Sequence, residues 1–293
     1  MQPIEFEQLL TETLAARGRS PRTQETYTLM LRLFGRYLND RCTGKTLEGV
    51  GPEDVEAYQR HLVTEKKWGF SSFNQSVCAL RFFYKECLGA EWTIARMPYQ
   101  RKRRVLPEIL SPQEVSAIFD TCGNLKHKTL LMTSYSGGLR LGETLGLIPS
   151  DIDSSRMMIR VEQGKGRKDR YVMLSPALLC QLRIYWKAFR PVRWLFEGQK
   201  PAHPLAPSTA EKVFTAAAGR AGIRKGVSFH SLRHAFATHL LEGGTNIRVI
   251  QALLGHQCLT TTQVYTHVAK TYINLTTSPL DRLKQRKQEP GKK

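Results

Sequence analysis

Side chains that bind phosphate or transfer protons recur at close spacing in the second half of this 293-residue chain. Arg140 follows a pair of glycines, His230 and Arg233 stand three residues apart, and His256 follows a Leu-Gly dipeptide. Tyr265 lies nine residues beyond His256. A guanidinium can pair with two phosphate oxygens at once, imidazole can move a proton, and a tyrosine hydroxyl can attack phosphorus. Together these residue types could carry out metal-free phosphoryl transfer.

Two further residues extend this set. Glu143 lies one helical turn after Arg140 and could orient its guanidinium, and Lys165 lies in the cationic sequence Gly-Lys-Gly-Arg between two predicted strands. Taken singly, each candidate has an ordinary alternative. Arginine and lysine are usually surface charges, histidine is often a helix residue with satisfied hydrogen bonds, and tyrosine is often half-buried. Their joint order and spacing are the stronger signal.

Other enzyme classes lack their motifs in this sequence. It contains no G-x-x-x-x-G-K-[ST], no G-x-G-x-x-G and no H-E-x-x-H motif, which disfavours NTPases, dinucleotide enzymes and zinc proteases. His230 and His234 are four residues apart, but no carboxylate lies near them in the sequence. Because metal-dependent nucleases need clustered acidic residues, we expect neither a metal ion nor a cofactor.

The charge distribution indicates a polyanionic partner. The chain has 44 Lys and Arg against 25 Asp and Glu, a net charge of +19. Residues 1–100 have a net charge of +1 and residues 101–293 a net charge of +18. An excess of this size favours nucleic acid over membrane, although a solvated basic surface is the simpler alternative. We expect a cytoplasmic protein with reduced thiols, because the sequence has no long apolar run, no signal peptide and no C-x-x-C.

The first module is predicted to be helical over residues 1–97. Ser20-Pro21, Gly51-Pro52 and Ser71-Ser72 each open a segment whose apolar residues recur at helical spacing. Residues 98–107 follow as a linker, bounded by Pro98 and Pro107. The linker contains four consecutive cations that we expect to contact DNA: Arg101, Lys102, Arg103 and Arg104.

The second module, residues 108–277, is predicted to combine helices with a small β-hairpin. Ser111 opens a capping box, and a buried helix over 130–135 ends at the glycine pair. The predicted strands cover 157–161 and 171–174. Further helices are predicted over 176–189, 208–221, 231–241 and 246–254. The fold class is therefore mainly α with a small β-sheet or hairpin, in a two-domain arrangement with a basic tail.

The ordered residues resemble the signature of the tyrosine site-specific recombinases, the phage-integrase family. That signature reads Arg, hairpin Lys, His-x-x-Arg, Leu-Gly-His and Tyr, and it matches Arg140, Lys165, His230, Arg233, His256 and Tyr265. Residues 229–240 and 260–267 resemble its two best-known boxes, and residues 20–37 resemble the opening helix of its N-terminal DNA-clamping domain. The resemblance covers nearly the whole chain, with residues 284–293 outside it.

The resemblance is strongest to the short Xer-type and integron-integrase members. Residues 278–281 are similar to the end of integron integrases, but the span 174–213 is too short for the insertion with which those enzymes grip extruded bases. Duplex DNA is therefore the expected substrate, and a mobile element is one expected setting.

The resemblance implies a role for each matched residue. Tyr265 would attack the scissile phosphate and form a 3′-phosphotyrosine, so that religation needs no ATP. Arg140 and Arg233 would neutralise the developing charge, and His230 would act as base or orienting group. The remaining roles fall to His256, which would donate to a phosphate oxygen, and Lys165, which would protonate the leaving 5′-hydroxyl.

The resemblance also implies an assembly of four protomers around two duplexes. We expect Arg167 and Lys168, beside the hairpin lysine, to contact DNA, and residues 278–293 to supply a docking segment and a basic tail. Two alternatives share the scaffold. One is a type IB-like topoisomerase, and the other is a sequence-specific DNA-binding regulator without catalysis.

Overall fold

The protein is described by a computed structural model that covers residues 3–41, 44–90, 97–100, 108–162, 169–199 and 202–255. Contacts within the chain divide it into two compact units, Met1–Arg104 and Val105–Lys293. The module boundaries given above, at residues 97, 107 and 277, remain predictions.

The described part of the first unit consists of helices. Their bounds are α1 Pro3–Ala16, α2 Pro21–Asp40, α3 Pro52–Thr64 and α4 Phe70–Phe82, and α4 continues into a wider turn, Phe83–Cys87. Ser20 caps α2 by accepting a hydrogen bond on its hydroxyl from the amide of Thr23 (3.3 Å). The predicted start of α2 at Ser20-Pro21 and the start of α3 at Gly51-Pro52 are confirmed. α4 begins at Phe70, one residue before the predicted Ser71, because Gly69 takes the cap position.

The described part of the second unit contains seven α-helices, packed around a main hydrophobic core and a smaller cluster between α10 and α11. They are α5 Pro112–Asp120, α6 Leu125–Gly137, α7 Leu141–Leu145, α8 Pro176–Phe189, α9 Pro207–Arg220, α10 His230–Glu242 and α11 Ile247–Leu254. The predicted capping box is present at α5, where the Ser111 hydroxyl accepts from the Glu114 amide (3.2 Å) and the Glu114 carboxylate accepts from the Ser111 amide (2.7 Å). The helices predicted over 176–189, 208–221, 231–241 and 246–254 agree with α8 to α11 to within one residue at each end. The helix predicted over 130–135 is longer, since α6 begins at Leu125, where Asn124 caps it, and the short α7 was not predicted.

A three-stranded antiparallel sheet covers one side of this core. The strands are β1 Ile152–Asp153, β2 Met158–Val161 and β3 Arg170–Met173, in the order β1-β2-β3. Ile159 pairs with Val172, and both side chains are buried. The hairpin of β2 and β3 was predicted, whereas the two-residue β1 was not, because so short a strand carries no alternation of its own. The fold class predicted from the sequence is confirmed.

The turn after α6 is fixed by contact with α10. Gly138 ends α6 in the left-handed region (φ +59°), and a Cβ atom there would lie 2.3 Å from the ring of Phe236. Only glycine fits this contact, since the conformation disfavours a side chain and the ring leaves no space for one. The close approach sets the position of Arg140, two residues later. Over the described ranges, no helix is long and apolar enough to cross a membrane.

Candidate active site

Arg140 stands at the start of α7, where Glu143 holds it twice. The backbone amide of Arg140 donates to Oε2 of Glu143 (2.8 Å), and its guanidinium Nη1 donates to Oε1 (2.7 Å). The Arg140 side chain remains 27% exposed, whereas the Glu143 side chain is 8% exposed. Glu143 thus fixes a guanidinium that is still accessible from solvent.

Glu143 also accepts two hydrogen bonds from Arg170, the first residue of β3. The Arg170 nitrogens Nη1 and Nη2 lie 3.0 Å and 2.8 Å from Oε1 and Oε2 of the carboxylate. Burial alone would raise the pKa of Glu143, but the hydrogen bonds from Arg170 and Arg140 outweigh it and lower the pKa to about 2. The buried carboxylate therefore stays ionised and offsets part of the positive charge of the guanidinium groups around it.

Arg233 is almost fully buried on α10, with 1% of its side chain exposed. Its Nη1 donates to the carbonyl of Gly138 (2.8 Å) and lies 3.7 Å from Oε2 of Glu143. Its Nη2 donates to the carbonyl of Leu254 at the end of α11 (2.6 Å). A buried charge needs such partners. Arg233 thereby joins three segments that are far apart in the sequence.

His230 begins α10 on the same side as these cations. It is exposed, but partial desolvation by the surrounding protein, together with the charges of Arg233 and Arg140, lowers its pKa. Its ring lies edge-on to that of His234, with 4.6 Å between centroids. Burial and the neighbouring His230 and Arg233 lower the pKa of His234 to about 4. Both rings are therefore neutral near pH 7, the state in which His230 can accept a proton.

His239, further along α10, has a structural role. Its Nε2 donates to the carbonyl of Leu110 (2.9 Å), so its Nδ1 accepts from the hydroxyl of Tyr135 (2.8 Å). Burial lowers the pKa of His239 and raises the pKa of Tyr135. This pair ties α10 to α6 and to the segment before α5.

Several predicted site residues lie outside the described residues. These are the linker cations Arg101, Lys102, Arg103 and Arg104, the hairpin residues Lys165, Arg167 and Lys168, and His256, Tyr265 and the segment 278–293. The structure brings together Arg140, Glu143, His230 and Arg233, and it ends the last described helix, α11, at Gly255 (φ +62°), directly before His256.

Sequence reasoning missed Arg170. Arg170 directly precedes the predicted strand 171–174, and the carboxylate that it binds, Glu143, is 27 residues away in the sequence. The one available signal was an arginine at the end of a hairpin strand in a module with few carboxylates. Among the described residues, no group of three His, Cys, Asp or Glu side chains is placed to hold a metal ion.

Replacing Glu143 by glutamine should remove the negative charge and, with it, the dependence of the unfolding free energy on ionisation of this carboxylate. The pKa of Glu143 falls from 4.5 to about 2 on folding, so ionisation stabilises the native state by about 3 kcal/mol near neutral pH. This contribution is complete above about pH 5 and is lost as the pH falls through 4.5 toward 2. Urea unfolding followed by circular dichroism at pH 7, 5 and 3.5 measures it.

Glu143→Gln should therefore be much less stable than wild type at pH 7, and the difference should shrink at pH 3.5. Glu12→Gln, on the exposed surface of α1, serves as the control and should follow wild type at each pH. A constant stability difference between Glu143→Gln and wild type over this range would contradict the assigned ionisation.

Comparison with known proteins identifies two family domains in this chain. The model of the "Phage integrase family" matches residues 108–271, and that of the "Phage integrase, N-terminal SAM-like domain" matches residues 6–94. A Sinorhizobium fredii protein described as an integrase/recombinase, y4qK, is 43% identical over 94% of this chain and 88% of its own. A tyrosine recombinase of Thermosipho africanus is 35% identical over 86% of this chain and 91% of its own.

Solved structures show the same fold. The crystal structure of XerA recombinase is 27% identical and matches 99% of this chain and all of its own, with a TM-score of 0.52. A lambda integrase dimer bound to a COC′ core site is 19% identical and matches 94% of this chain and 97% of its own, with a TM-score of 0.70. The family models and the relatives show that the chain belongs to the phage integrase family of tyrosine recombinases.

Proposed function

We propose that this recombinase cleaves and rejoins duplex DNA at a specific site through a covalent 3′-phosphotyrosine formed by Tyr265, without metal or ATP. The observation that carries the proposal is the Glu143 cluster. One ionised carboxylate fixes Arg140 at the surface, binds Arg170 and lies close to Arg233. Fixed cations of this kind stabilise the charge that develops on a transferring phosphoryl group.

Each remaining role follows from the chemistry of the residue type. A tyrosine hydroxyl has an ordinary pKa near 10, so it needs adjacent positive charge and a base to attack at neutral pH. Arg140 and Arg233 supply the charge, and neutral His230 accepts the proton or orients the hydroxyl. His256 is expected to donate a hydrogen bond to a phosphate oxygen, and Lys165 is expected to protonate the leaving 5′-oxygen.

DNA is the proposed partner on two grounds. The net charge of +18 in residues 101–293 favours a polyanion, and a structural neighbour, lambda integrase, is described in complex with its core site. We propose that four protomers assemble on two paired duplexes in the cytoplasm. The proposed DNA contacts are made by residues 101–104, Arg167 and Lys168. Relatives named as recombinases favour this function over a topoisomerase or a regulator without catalysis.

A nicked suicide duplex, which loses the strand needed for religation, tests the proposed reaction. Wild-type protein should accumulate a detergent-stable DNA–protein adduct in the presence of EDTA, with tyrosine linked to the 3′-phosphate. A scrambled duplex of equal length is the control for site specificity. Dependence of the adduct on added divalent metal, or equal reaction on the scrambled duplex, would contradict the proposal.

A further inference from the structure

Arg170 links the carboxylate of Glu143 to the end of helix α11. Besides its two hydrogen bonds to Glu143, its Nε donates to the carbonyl of Leu253 (2.9 Å). The Arg170 side chain is 11% exposed. A Cβ atom built on Gly255 would lie 3.1 Å from the Cδ of Arg170 and 3.2 Å from the Nε of Arg170. The turn at Gly255 therefore packs directly on the arginine.

The end of α11 is held by two arginines that share an anchor. Arg170 binds the Leu253 carbonyl and Arg233 binds the Leu254 carbonyl, while both lie within ion-pair distance of Glu143. The last four carbonyls of a helix accept no hydrogen bond from within the helix, and positive charges beside them are stabilising. These contacts fix where the chain leaves α11.

The anchored end of α11 directly precedes a residue of the proposed reaction, because His256 follows Gly255 in the sequence. Arg140 is held by the same carboxylate from the other direction. Glu143 and Arg170 thus connect Arg140 to the end of α11.

We propose that Arg170 is a positioning residue for strand cleavage, which sets the place of His256 relative to Arg140 without itself contacting DNA. The inference rests on the proposed function, since it concerns the same reaction. The planar guanidinium of Arg170 is suited to this role because it donates to a carboxylate and a carbonyl at once. A lysine ammonium cannot do this in the same geometry. A small displacement of a catalytic group reduces a reaction rate by up to about 10²-fold.

The test measures single-turnover cleavage of the suicide duplex at saturating protein by the full-length chain. Arg170→Gln should cleave about 10- to 100-fold more slowly than wild type. Half-site affinity should stay within about threefold, since only 11% of the Arg170 side chain is exposed and the proposed role involves no DNA contact. Arg170→Lys should be intermediate. Arg160→Gln is the matched control, because Arg160 on β2 binds another buried carboxylate, Asp151 (3.1 Å), and it should cleave like wild type.

A double-mutant cycle separates positioning from general loss of structure. If Arg170 acts through His256, the Arg170→Gln/His256→Ala protein should cleave no more than about threefold slower than His256→Ala alone. If Arg170→Gln does not fold, Arg170→Lys replaces it in the same cycle. The inference would be overturned if the rate loss of the double mutant equalled the product of the losses of the two single mutants. It would also be overturned if the Arg170 variants cleaved as fast as Arg160→Gln. Absence of any wild-type adduct would instead contradict the proposed function.

Discussion

Replacing Tyr265 by phenylalanine is expected to abolish the covalent DNA–protein adduct and leave DNA binding intact. The substitution removes one hydroxyl and no charge, so the cations that bind phosphate are unchanged. Without the hydroxyl no ester to phosphorus can form, and the loss of cleavage should be complete within detection. Adduct formation on the suicide duplex, resolved by denaturing electrophoresis, measures the reaction, and a mobility-shift assay measures binding.

Tyr272→Phe provides the matched control for this experiment. Tyr272 lies seven residues further along the chain and loses the same hydroxyl, so this variant should form the adduct at the wild-type rate. An adduct with Tyr265→Phe, or its loss in Tyr272→Phe alone, would show that the nucleophile has been assigned to the wrong tyrosine.

Replacing Lys165 by alanine should slow cleavage about 10²- to 10⁴-fold, the range typical for loss of a general acid. The leaving 5′-oxygen needs a proton, whereas a sulfur leaving group departs as a thiolate. Cleavage by Lys165→Ala should therefore recover to within about tenfold of wild type on a 5′-bridging phosphorothiolate substrate, because the lost proton transfer is no longer needed. Burst amplitudes and rates on the oxygen and sulfur substrates give the comparison.

Lys168→Ala is the control, because it removes a cation from the same Gly-Lys-Gly-Arg-Lys segment. Its predicted role is DNA contact, so its effect should lie in binding and should not be rescued by sulfur. Equal rescue of both variants would argue against Lys165 as the acid.

Local signals predicted much of the fold, because caps and periodicity act within a few residues. Ser111 and Glu114 form the predicted capping box, and Gly138 ends α6 where the glycine pair indicated. The bounds of α1 were not predicted, although residues 1–97 were predicted to be helical, because only the segments that begin at Ser20, Gly51 and Ser71 had a recognisable start. The order of Arg140, His230 and Arg233 indicated one site because it matches a family signature.

The connections inside the site could not be predicted from the sequence. Arg233 donates to the Gly138 carbonyl across 95 residues, and Arg170 donates to the Leu253 carbonyl across 83. No periodicity or cap links positions that far apart, and a backbone carbonyl carries no residue-type signal. Tertiary packing alone decides that these arginines bind the ends of α6 and α11.

The shared carboxylate of Glu143 has a consequence for laboratory evolution of new target sites. Arg140 and Arg170 hydrogen-bond to this carboxylate and Arg233 lies 3.7 Å from it, so a change at any of the three alters the electrostatic field at the other two. Such positions are epistatic, and their tolerated substitutions must be selected jointly. A library that varies them one at a time will recover mainly the parental residues, whereas a library that varies all three together can reach combinations that retain the cluster.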